Sequence, residues 1–541
     1  MNLKSLSQFF AKDKSHRILI LLACLLALVL GILSWSVPPG IDPDPCWGFL
    51  VMDGIAKHAP WNTYITVDPF NIAKNHYEFL AWWSPGQYLV PYLFKCLLNI
   101  NTAKAVAVTL IVCNVLGLTG FYKLFTRLGF SRQVSAITIA FVATQLFFVN
   151  SYVYFLGGEV LLFAFLGWFL YGCFSIEKIT WQILLFVFLG GLLGFFAKSS
   201  VLWMFAAAVG CIWINVGMAE TGSSHKPWYD KTTLWAWIRN GLLLAIPFVA
   251  ALAVIYVGYM SKGDNPTSDT GPLLVLPETF GYPLAAPILS GFSVDELVDG
   301  LIYHTDAPMV SYQAAIMMIV IFALACIAFV AFIGKLSHNK KYPVVLIFFY
   351  ALGTAFFSYM YIRQATISYE GRHFRMIAML FMPGFVYLLM KTKVSRMVFF
   401  AMWIAYAYLS FNSFKIQYVA NRQTAKGPVT GFVQQVYDQA TIDEVVRLDH
   451  MHYNDAIFVF NGPDIAMEVK QNRTIINDDD MNETVFASLK YRGKAGTIYI
   501  ITPTRYIKNG KLSVLTKSFV DYHHFTYRQI TAAYGISEAR E

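Results

Sequence analysis

Apolar segments long enough to cross a lipid bilayer recur through the first 412 residues of the chain. A helix needs about 20 such residues to span the hydrocarbon core. The chain is 57% hydrophobic and only 13% charged, whereas a soluble globular protein carries about a quarter charged residues. The sequence therefore predicts a polytopic α-helical membrane protein. Eleven spans can be drawn, at about 18–36, 104–122, 133–150, 158–175, 181–197, 199–217, 241–260, 311–334, 342–361, 374–390 and 397–413.

The distribution of basic residues predicts the orientation of these spans, because Lys and Arg in short loops are retained on the cytoplasmic side. The longer loops on one side of the membrane domain hold only nine Lys and Arg residues. Short connectors on the other side hold 17 of the 41, namely Lys4, Lys12, Lys14, Arg17, Lys123, Arg127, Arg132, Lys178, Lys226, Lys231, Arg239, Lys335, Lys340, Lys341, Lys391, Lys393 and Arg396. We therefore expect a cytoplasmic N-terminus at 1–17, a transmembrane domain at 18–413 with external loops at 37–103 and 261–310, and an extracytoplasmic domain at 414–541. The membrane is expected to be a plasma or inner membrane.

The net charge of +9 does not require a nucleic-acid partner, because the surplus of Lys and Arg lies largely in the short loops that are predicted to be cytoplasmic. A nucleic-acid partner would require a contiguous basic face, and the sequence shows none.

The C-terminal region is polar and predicts a small α/β domain. Runs typical of strands lie at 456–460, 473–477, 497–502 and about 525–530, after an amphipathic segment at about 430–450. The acidic triplet Asp478-Asp479-Asp480 is more typical of a solvated turn than of a metal site, and no metal site is predicted.

The first external loop begins with two Asp-Pro dipeptides, Asp42-Pro43-Asp44-Pro45. Asp44 and Pro45 match the N-cap and first residue of a helix, with Trp47, Leu50 and Val51 at helical spacing behind them. For Asp44, capping and catalysis are equally consistent with the pattern. Asp42 has no evident structural role, although an Asp in a Pro-rich loop is usually just solvated.

Ionisable residues at the ends of apolar spans are costly and therefore mark candidate functional sites. Glu78 lies beside an aromatic stretch, Glu159 begins a span, and Lys198 lies between two spans. A further external connector holds Arg372, His373 and Arg375. These cations could extend to lipid headgroups, or they could bind the phosphate of a lipid-linked substrate.

Several of these segments together resemble the GT-C class of integral membrane glycosyltransferases, which includes protein mannosyltransferases and lipid A aminoarabinose transferases. The resemblance rests on a cytoplasmic N-terminus, one span and a first external loop with an acidic motif and a surface helix. It also rests on short motifs, namely Asp42-Pro43-Asp44-Pro45, Trp82-Trp83-Ser84-Pro85-Gly86-Gln87-Tyr88, Ala197-Lys198-Ser199-Ser200, and Arg372-His373-Phe374 before Met382-Pro383. The usual Asp-Glu pair of the class is replaced here by Asp-Pro-Asp-Pro, which leaves the choice between Asp42 and Asp44 open.

The resemblance implies inverting transfer of a sugar from a polyprenyl-phosphate donor to an extracytoplasmic lipid, glycan or protein. It implies Asp44, or else Asp42, as the general base. Lys198, Arg372 and Arg375 would hold the donor phosphate, and Glu78, Glu159 and His373 would orient sugar or acceptor. Some members of the class use a divalent cation such as Mg or Mn and others do not, so the cofactor stays open.

Two other functions are compatible with the composition. A transporter or flippase of a lipid-linked or small polar substrate predicts charges near the bilayer midplane and often two related halves. A polyprenyl-linked glycan polymerase or ligase predicts Arg-rich external loops. The predicted spans contain almost no midplane charge, which favours the transferase.

Overall fold

A computed structural model describes residues 15–221, 231–264, 270–298, 301–302, 308–336, 339–477 and 489–540 of the chain. Residues 1–14 of the predicted cytoplasmic N-terminus and the acidic triplet Asp478-Asp479-Asp480 lie outside the described residues.

The described residues divide into two compact units. The first, which we call the helical unit, takes its described residues from Met1–Leu30, Leu110–Ser151 and Gly158–Phe414. The second, the mixed unit, takes them from Gly31–Thr109, Tyr152–Gly157 and Lys415–Glu541. The sequence places 37–103 as a loop of the transmembrane domain, whereas in the structure this segment belongs to the same unit as the C-terminal region.

The described part of the chain contains seven helices long and apolar enough to cross a membrane. The multi-pass α-helical class is therefore confirmed, while the count of eleven spans stays a prediction. The seven candidate spans are Ser15–Ser36, Thr102–Arg127, Val201–Glu220, Thr233–Lys262, Tyr312–Gly334, Lys341–Ile362 and Lys393–Gln423. Shorter helices are Arg132–Ala143, Leu146–Asn150, Glu159–Cys173, Trp181–Ala197, Pro277–Gly291, Val294–Leu297 and Arg375–Leu389.

The predicted span 133–150 is broken into two helices at Thr144 and Gln145. The Thr144 hydroxyl donates to the carbonyl of Phe141 at 2.8 Å and accepts a hydrogen bond from the Trp403 indole at 2.8 Å. Gln145 then adopts an extended backbone and caps the next helix. A side-chain hydroxyl that binds a late helix carbonyl competes with continuation of the helix, which hydropathy alone does not reveal.

A five-stranded sheet lies at the centre of the described C-terminal region. Its strands follow the spatial order Arg473–Ile476, Ala456–Phe460, Thr497–Pro503, Tyr534–Ala539 and Thr526–Gln529. The first three are parallel and the last two pair antiparallel. The predicted small α/β sheet is confirmed. The strand Tyr534–Ala539 was not predicted, because its Gly and Glu are weak strand formers.

A hairpin of the first loop packs on this sheet. Its strands, Thr63–Asp68 and Asn71–Phe79, contribute Val67 and Ile72 to the hydrophobic core that contains Ile457 and Ile498 of the sheet. These contacts explain why segments far apart in sequence share one unit. The other elements of the mixed unit are the helices Pro43–Ala56, Gly86–Leu98, Gln439–Met451, Pro463–Ala466, Arg505–Lys508 and Lys511–Ser518 and the short strands Gly40–Ile41 and Tyr154–Phe155.

Candidate functional site

A cavity in the helical unit collects five of the ionisable residues that the sequence singles out. Glu159, Lys198, Arg372, His373 and Arg375 all line it. The remaining lining residues are Asn114, Phe147, Phe148, Ser151, Val160, Leu162, Phe163, Ser200, Met204 and Met376. We call this the paired cavity, because each of its cations contacts a carboxylate.

Helix ends place these side chains. Glu159 is the first residue of the helix Glu159–Cys173, and Lys198 follows the last residue of Trp181–Ala197. Arg372 and His373 lie in the 3₁₀ turn Gly371–Phe374, directly before the helix that starts at Arg375.

A glycine allows Glu159 to come close to Lys198. A Cβ built on Gly158 would lie only 2.7 Å from the carbonyl oxygen of Ala197. Any larger residue at position 158 would push the start of the helix Glu159–Cys173 away from Lys198. The ion pair between Glu159 and Lys198 therefore requires a glycine at position 158.

Each cation of the paired cavity forms an ion pair. The Lys198 ammonium contacts Glu159, the Arg372 guanidinium contacts Glu370, and Nη2 of Arg375 lies 3.1 Å from Oε1 of Glu296. The side chains of Lys198 and Arg375 are only 10% and 11% exposed. Charges taken out of water to this extent need such partners, because an unpaired buried charge is strongly destabilising.

Several polar atoms of the cavity nevertheless lack a partner among the described residues. They are Oε2 of Glu159, Nε2 of His373, Nε of Arg375 and Nδ2 of Asn114, all buried and without a hydrogen bond. Native proteins satisfy most buried polar atoms with protein groups, ordered water or ligand. The concentration of such atoms around one cavity therefore indicates a polar occupant.

The charge of the lining favours an anion. Lys198, Arg372 and Arg375 face a single lining carboxylate, Glu159. Burial lowers the pKa of Lys198, and the Glu159 carboxylate opposes part of that shift. Burial lowers the pKa of His373 well below its usual range, and the charges of Lys198 and Arg372 lower it further. His373 is therefore neutral near pH 7, and its ring presents one N–H and one acceptor nitrogen.

The size of the cavity limits what it can hold. Its volume is about 50 Å³, where a single water needs roughly 10 to 15 Å³ by the same kind of measure. The space thus accommodates a group of a few heavy atoms, such as a phosphate, but not a whole sugar. The guanidinium of Arg375 lies 5.3 Å from the ring centre of Phe147, a contact that helps to fix its orientation.

The two early aspartates belong to the mixed unit, and the structure corrects the prediction of which one caps the helix. Asp42, not Asp44, is the N-cap of the helix Pro43–Ala56, and its Oδ1 accepts from the backbone N–H of Asp44 at 3.1 Å. Its Oδ2 accepts from the hydroxyl of Tyr154 at 3.3 Å. The prediction that Asp44 caps the helix is therefore wrong, and Asp42 has the structural role. Both Asp-Pro dipeptides fit the capping pattern, so the sequence could not choose between them.

Asp44 lies in the first turn of the helix Pro43–Ala56, one turn before a residue of an aromatic group that contacts Glu78. Trp47 is one turn further along the same helix face. Its ring centre lies 5.0 Å from that of Tyr64 and 6.3 Å from that of Trp82. The hydroxyl of Tyr64 donates to Glu78. Within the mixed unit, Glu78 therefore contacts this aromatic cluster, and Asp44 lies one helical turn before its Trp47.

Two residues at the paired cavity, Asn114 and Glu296, are not among the candidates that the sequence predicts. Asn114 is a polar residue within a predicted span, a signal that could have found it. Glu296, the partner of Arg375, lies in the predicted loop 261–310 beside other polar residues, where nothing distinguishes it. Among the described residues, no group of three or more His, Cys, Asp or Glu side chains is placed to hold a metal ion.

Comparison with known proteins gives neither a protein-family model nor a curated protein that matches this chain.

Proposed function

We propose that the protein is an inverting glycosyltransferase that resembles the GT-C class. It would transfer a sugar from a polyprenyl-phosphate donor to an acceptor hydroxyl on the extracytoplasmic side of a plasma or inner membrane. The paired cavity carries this proposal. It combines buried cations, unsatisfied polar atoms and phosphate-sized space in the unit that contains most of the apolar helices.

The donor phosphate would bind in the paired cavity. Each cation spends only part of its hydrogen-bonding capacity on its carboxylate, since a guanidinium carries five N–H donors and an ammonium three. Nε of Arg375 is one buried donor that remains. The carboxylates hold the cations in place when no lipid-linked sugar is bound. When it binds, the remaining N–H groups of the cations donate charge-assisted hydrogen bonds to its phosphate.

In the reaction, the acceptor oxygen attacks the anomeric carbon from the face opposite the phosphate. Its proton passes to an aspartate acting as general base, and the bond between the anomeric carbon and the phosphate oxygen breaks. The lipid phosphate leaves with one additional negative charge, which the cations of the paired cavity stabilise. The configuration at the anomeric carbon is inverted in this single displacement.

Asp44 is the preferred base. Both oxygens of Asp42 already accept hydrogen bonds that hold the start of the helix, so protonation of Asp42 would weaken the cap. Asp44 lies one helical turn before Trp47, whose ring packs against Tyr64, and aromatic faces are suited to pack against sugar rings. Glu78 is placed at the same cluster and would orient the acceptor or the sugar.

Replacing each aspartate by asparagine tests the assignment. Asp44→Asn should lower kcat by about 10² to 10⁴-fold, the usual contribution of general-base catalysis, while donor binding is retained. Asp42→Asn should retain most of the activity, because asparagine is as good an N-cap as aspartate. Turnover is followed in nanodiscs as release of polyprenyl phosphate from polyprenyl-phosphate sugars.

Asp53→Asn is the control for loss of an acidic residue from the same helix, since Asp53 pairs with Lys470 and has no role in the proposed reaction. Full activity of the Asp44 variant would eliminate it as the base. Loss of activity in the Asp42 variant alone would transfer the role to Asp42. Transport of the lipid-linked sugar without release of its lipid phosphate would favour the flippase alternative.

A further inference from the structure

A second cavity of the helical unit is lined by cations that form no ion pair with a described carboxylate. Arg17, Lys123, Arg127 and Arg132 line it together with His16, Ile20, Leu21, Cys24, Tyr122, Thr126, Phe130, Ser131 and Tyr171. None of these lining residues is acidic, and none of the four cations forms an ion pair with a described carboxylate. We call it the basic cavity. The proposed transferase reaction makes no use of it.

Ends of apolar helices form the basic cavity. Arg17 lies in the first turn of Ser15–Ser36, Lys123 and Arg127 in the last two turns of Thr102–Arg127, and Arg132 begins Arg132–Ala143. Its volume is about 970 Å³, at the upper end of the range of small-molecule sites. It is therefore a recess large enough for a headgroup and part of an acyl chain.

The turn that presents Arg132 is held by several contacts. Gly129 has a φ of +97°, which favours glycine, and the N–H of Phe130 donates to the carbonyl of Phe125 at 3.1 Å. The ring of Phe130 packs edge-on against Tyr342 with centres 4.6 Å apart. Ser131 caps the following helix by accepting from the N–H of Val134 at 3.2 Å. Arg132 is thus presented by an ordered turn.

Arg127 is also fixed. Its Nε donates to the carbonyl oxygen of Phe174 at 3.1 Å, at the end of the helix Glu159–Cys173. This bond uses one of its five N–H donors. Arg17, Lys123 and Arg132 are exposed, so their charged groups remain available to a ligand.

The two kinds of lining residue point to one class of ligand. Four cations that pair with no described carboxylate suit an anion, while Ile20, Leu21 and Cys24 form an apolar flank on the first helix. Leu21 is 67% exposed, as expected for a residue that faces acyl chains. A basic recess between membrane helices on the cytoplasmic side is a typical site for an anionic phospholipid headgroup.

We propose that the basic cavity binds the headgroup of an anionic phospholipid, with Arg17, Lys123, Arg127 and Arg132 around its phosphate and an acyl chain along the first helix. Isolated basic residues at a membrane face attract anionic lipids in general. A specific site differs in that it retains a lipid molecule through detergent exchange.

The test compares two sets of substitutions in the full-length protein. Arg17→Gln, Lys123→Gln and Arg132→Gln together remove three cations of the cavity. The control set Lys391→Gln, Lys393→Gln and Arg396→Gln removes three cations that the sequence places on the same side but that do not line the cavity. Binding of phosphatidylglycerol and phosphatidylcholine is measured by native mass spectrometry after detergent exchange.

The wild type and the control should retain phosphatidylglycerol in preference to phosphatidylcholine. The cavity variant should bind phosphatidylglycerol about 100-fold more weakly, at roughly fivefold for each cation removed. Equal retention by the cavity and control variants would overturn the proposal. Displacement of the lipid by millimolar inorganic phosphate or glycerol phosphate would assign the site to a soluble phosphate and overturn the lipid assignment.

A second measurement does not depend on folding of the triple variant. The affinity of the wild type for phosphatidylglycerol should fall as the salt concentration rises, because exposed charges are screened. An affinity independent of salt would contradict a site built from exposed cations.

Discussion

The paired cavity and the basic cavity hold similar cations in opposite surroundings. Glu159 and Tyr171, which line one each, are twelve residues apart on one helix, or about 18 Å along its axis. Cations of the paired cavity are largely buried and each contacts a carboxylate, whereas most of those in the basic cavity are exposed and contact none of the described carboxylates. Desolvation explains the difference, because a buried charge needs a partner and an exposed one does not.

The largest expected effect concerns stability. Lys198→Met leaves the Glu159 carboxylate buried without its ammonium partner, and should lower the free energy of unfolding by about 3 to 5 kcal/mol. Lys123→Met in the basic cavity should change it by no more than about 0.5 kcal/mol. Both values can be measured by SDS-induced unfolding in micelles.

The double variant Lys198→Met and Glu159→Gln separates the cost of an unpaired charge from the loss of packing. It should recover most of the stability that Lys198→Met loses. Equal, small losses for Lys198→Met and Lys123→Met would mean that the two cavities do not differ in desolvation.

A smaller effect concerns pH. Since the pKa of His373 is lowered in the folded protein, the unfolded chain binds its proton first as the pH falls. Stability should therefore be complete above the ordinary histidine pKa of about 6.5 and fall below it, by up to about 1.4 kcal/mol for each pH unit. His373→Gln should remove this slope between pH 6.5 and 5.

The variant His373→Gln isolates the contribution of one buried imidazole to this slope. If His373→Gln kept the same slope of stability against pH as the wild type, the imidazole of His373 would not be the group that resists protonation in the folded protein.

The sequence predicts much of the paired cavity but not how it assembles. Glu159, Lys198 and Arg375 stand out because ionisable residues at the ends of apolar spans are costly. Hydropathy shows that they lie at helix ends, while the ion pair between Glu159 and Lys198 depends on the close approach at Gly158. A pattern along the chain does not reveal which helix ends meet.

The acidic motif and the first loop show where sequence reasoning fails. Two consecutive Asp-Pro dipeptides satisfy the same capping rule, and only the hydrogen bonds of Asp42 decide between them. The hairpin of the first loop packs on a sheet nearly 400 residues later in the sequence, through Val67 and Ile72. Local propensity predicts four of the five strands of that sheet, but not the long-range packing that completes its core.

Binding of polyprenyl phosphate to the purified protein tests the central claim most directly, because it needs neither the sugar nor the acceptor. Wild-type protein should bind polyprenyl phosphate at least tenfold more tightly than polyprenol of the same length. The neutral pair Arg375→Gln and Glu296→Gln should weaken that binding by about 10 to 100-fold, the value of a hydrogen bond to a charged group. The pair Arg239→Gln and Glu220→Gln, which removes a more exposed ion pair, should not. Equal affinity of the wild type for polyprenyl phosphate and polyprenol would contradict a phosphate site in the paired cavity and with it the proposed transfer reaction.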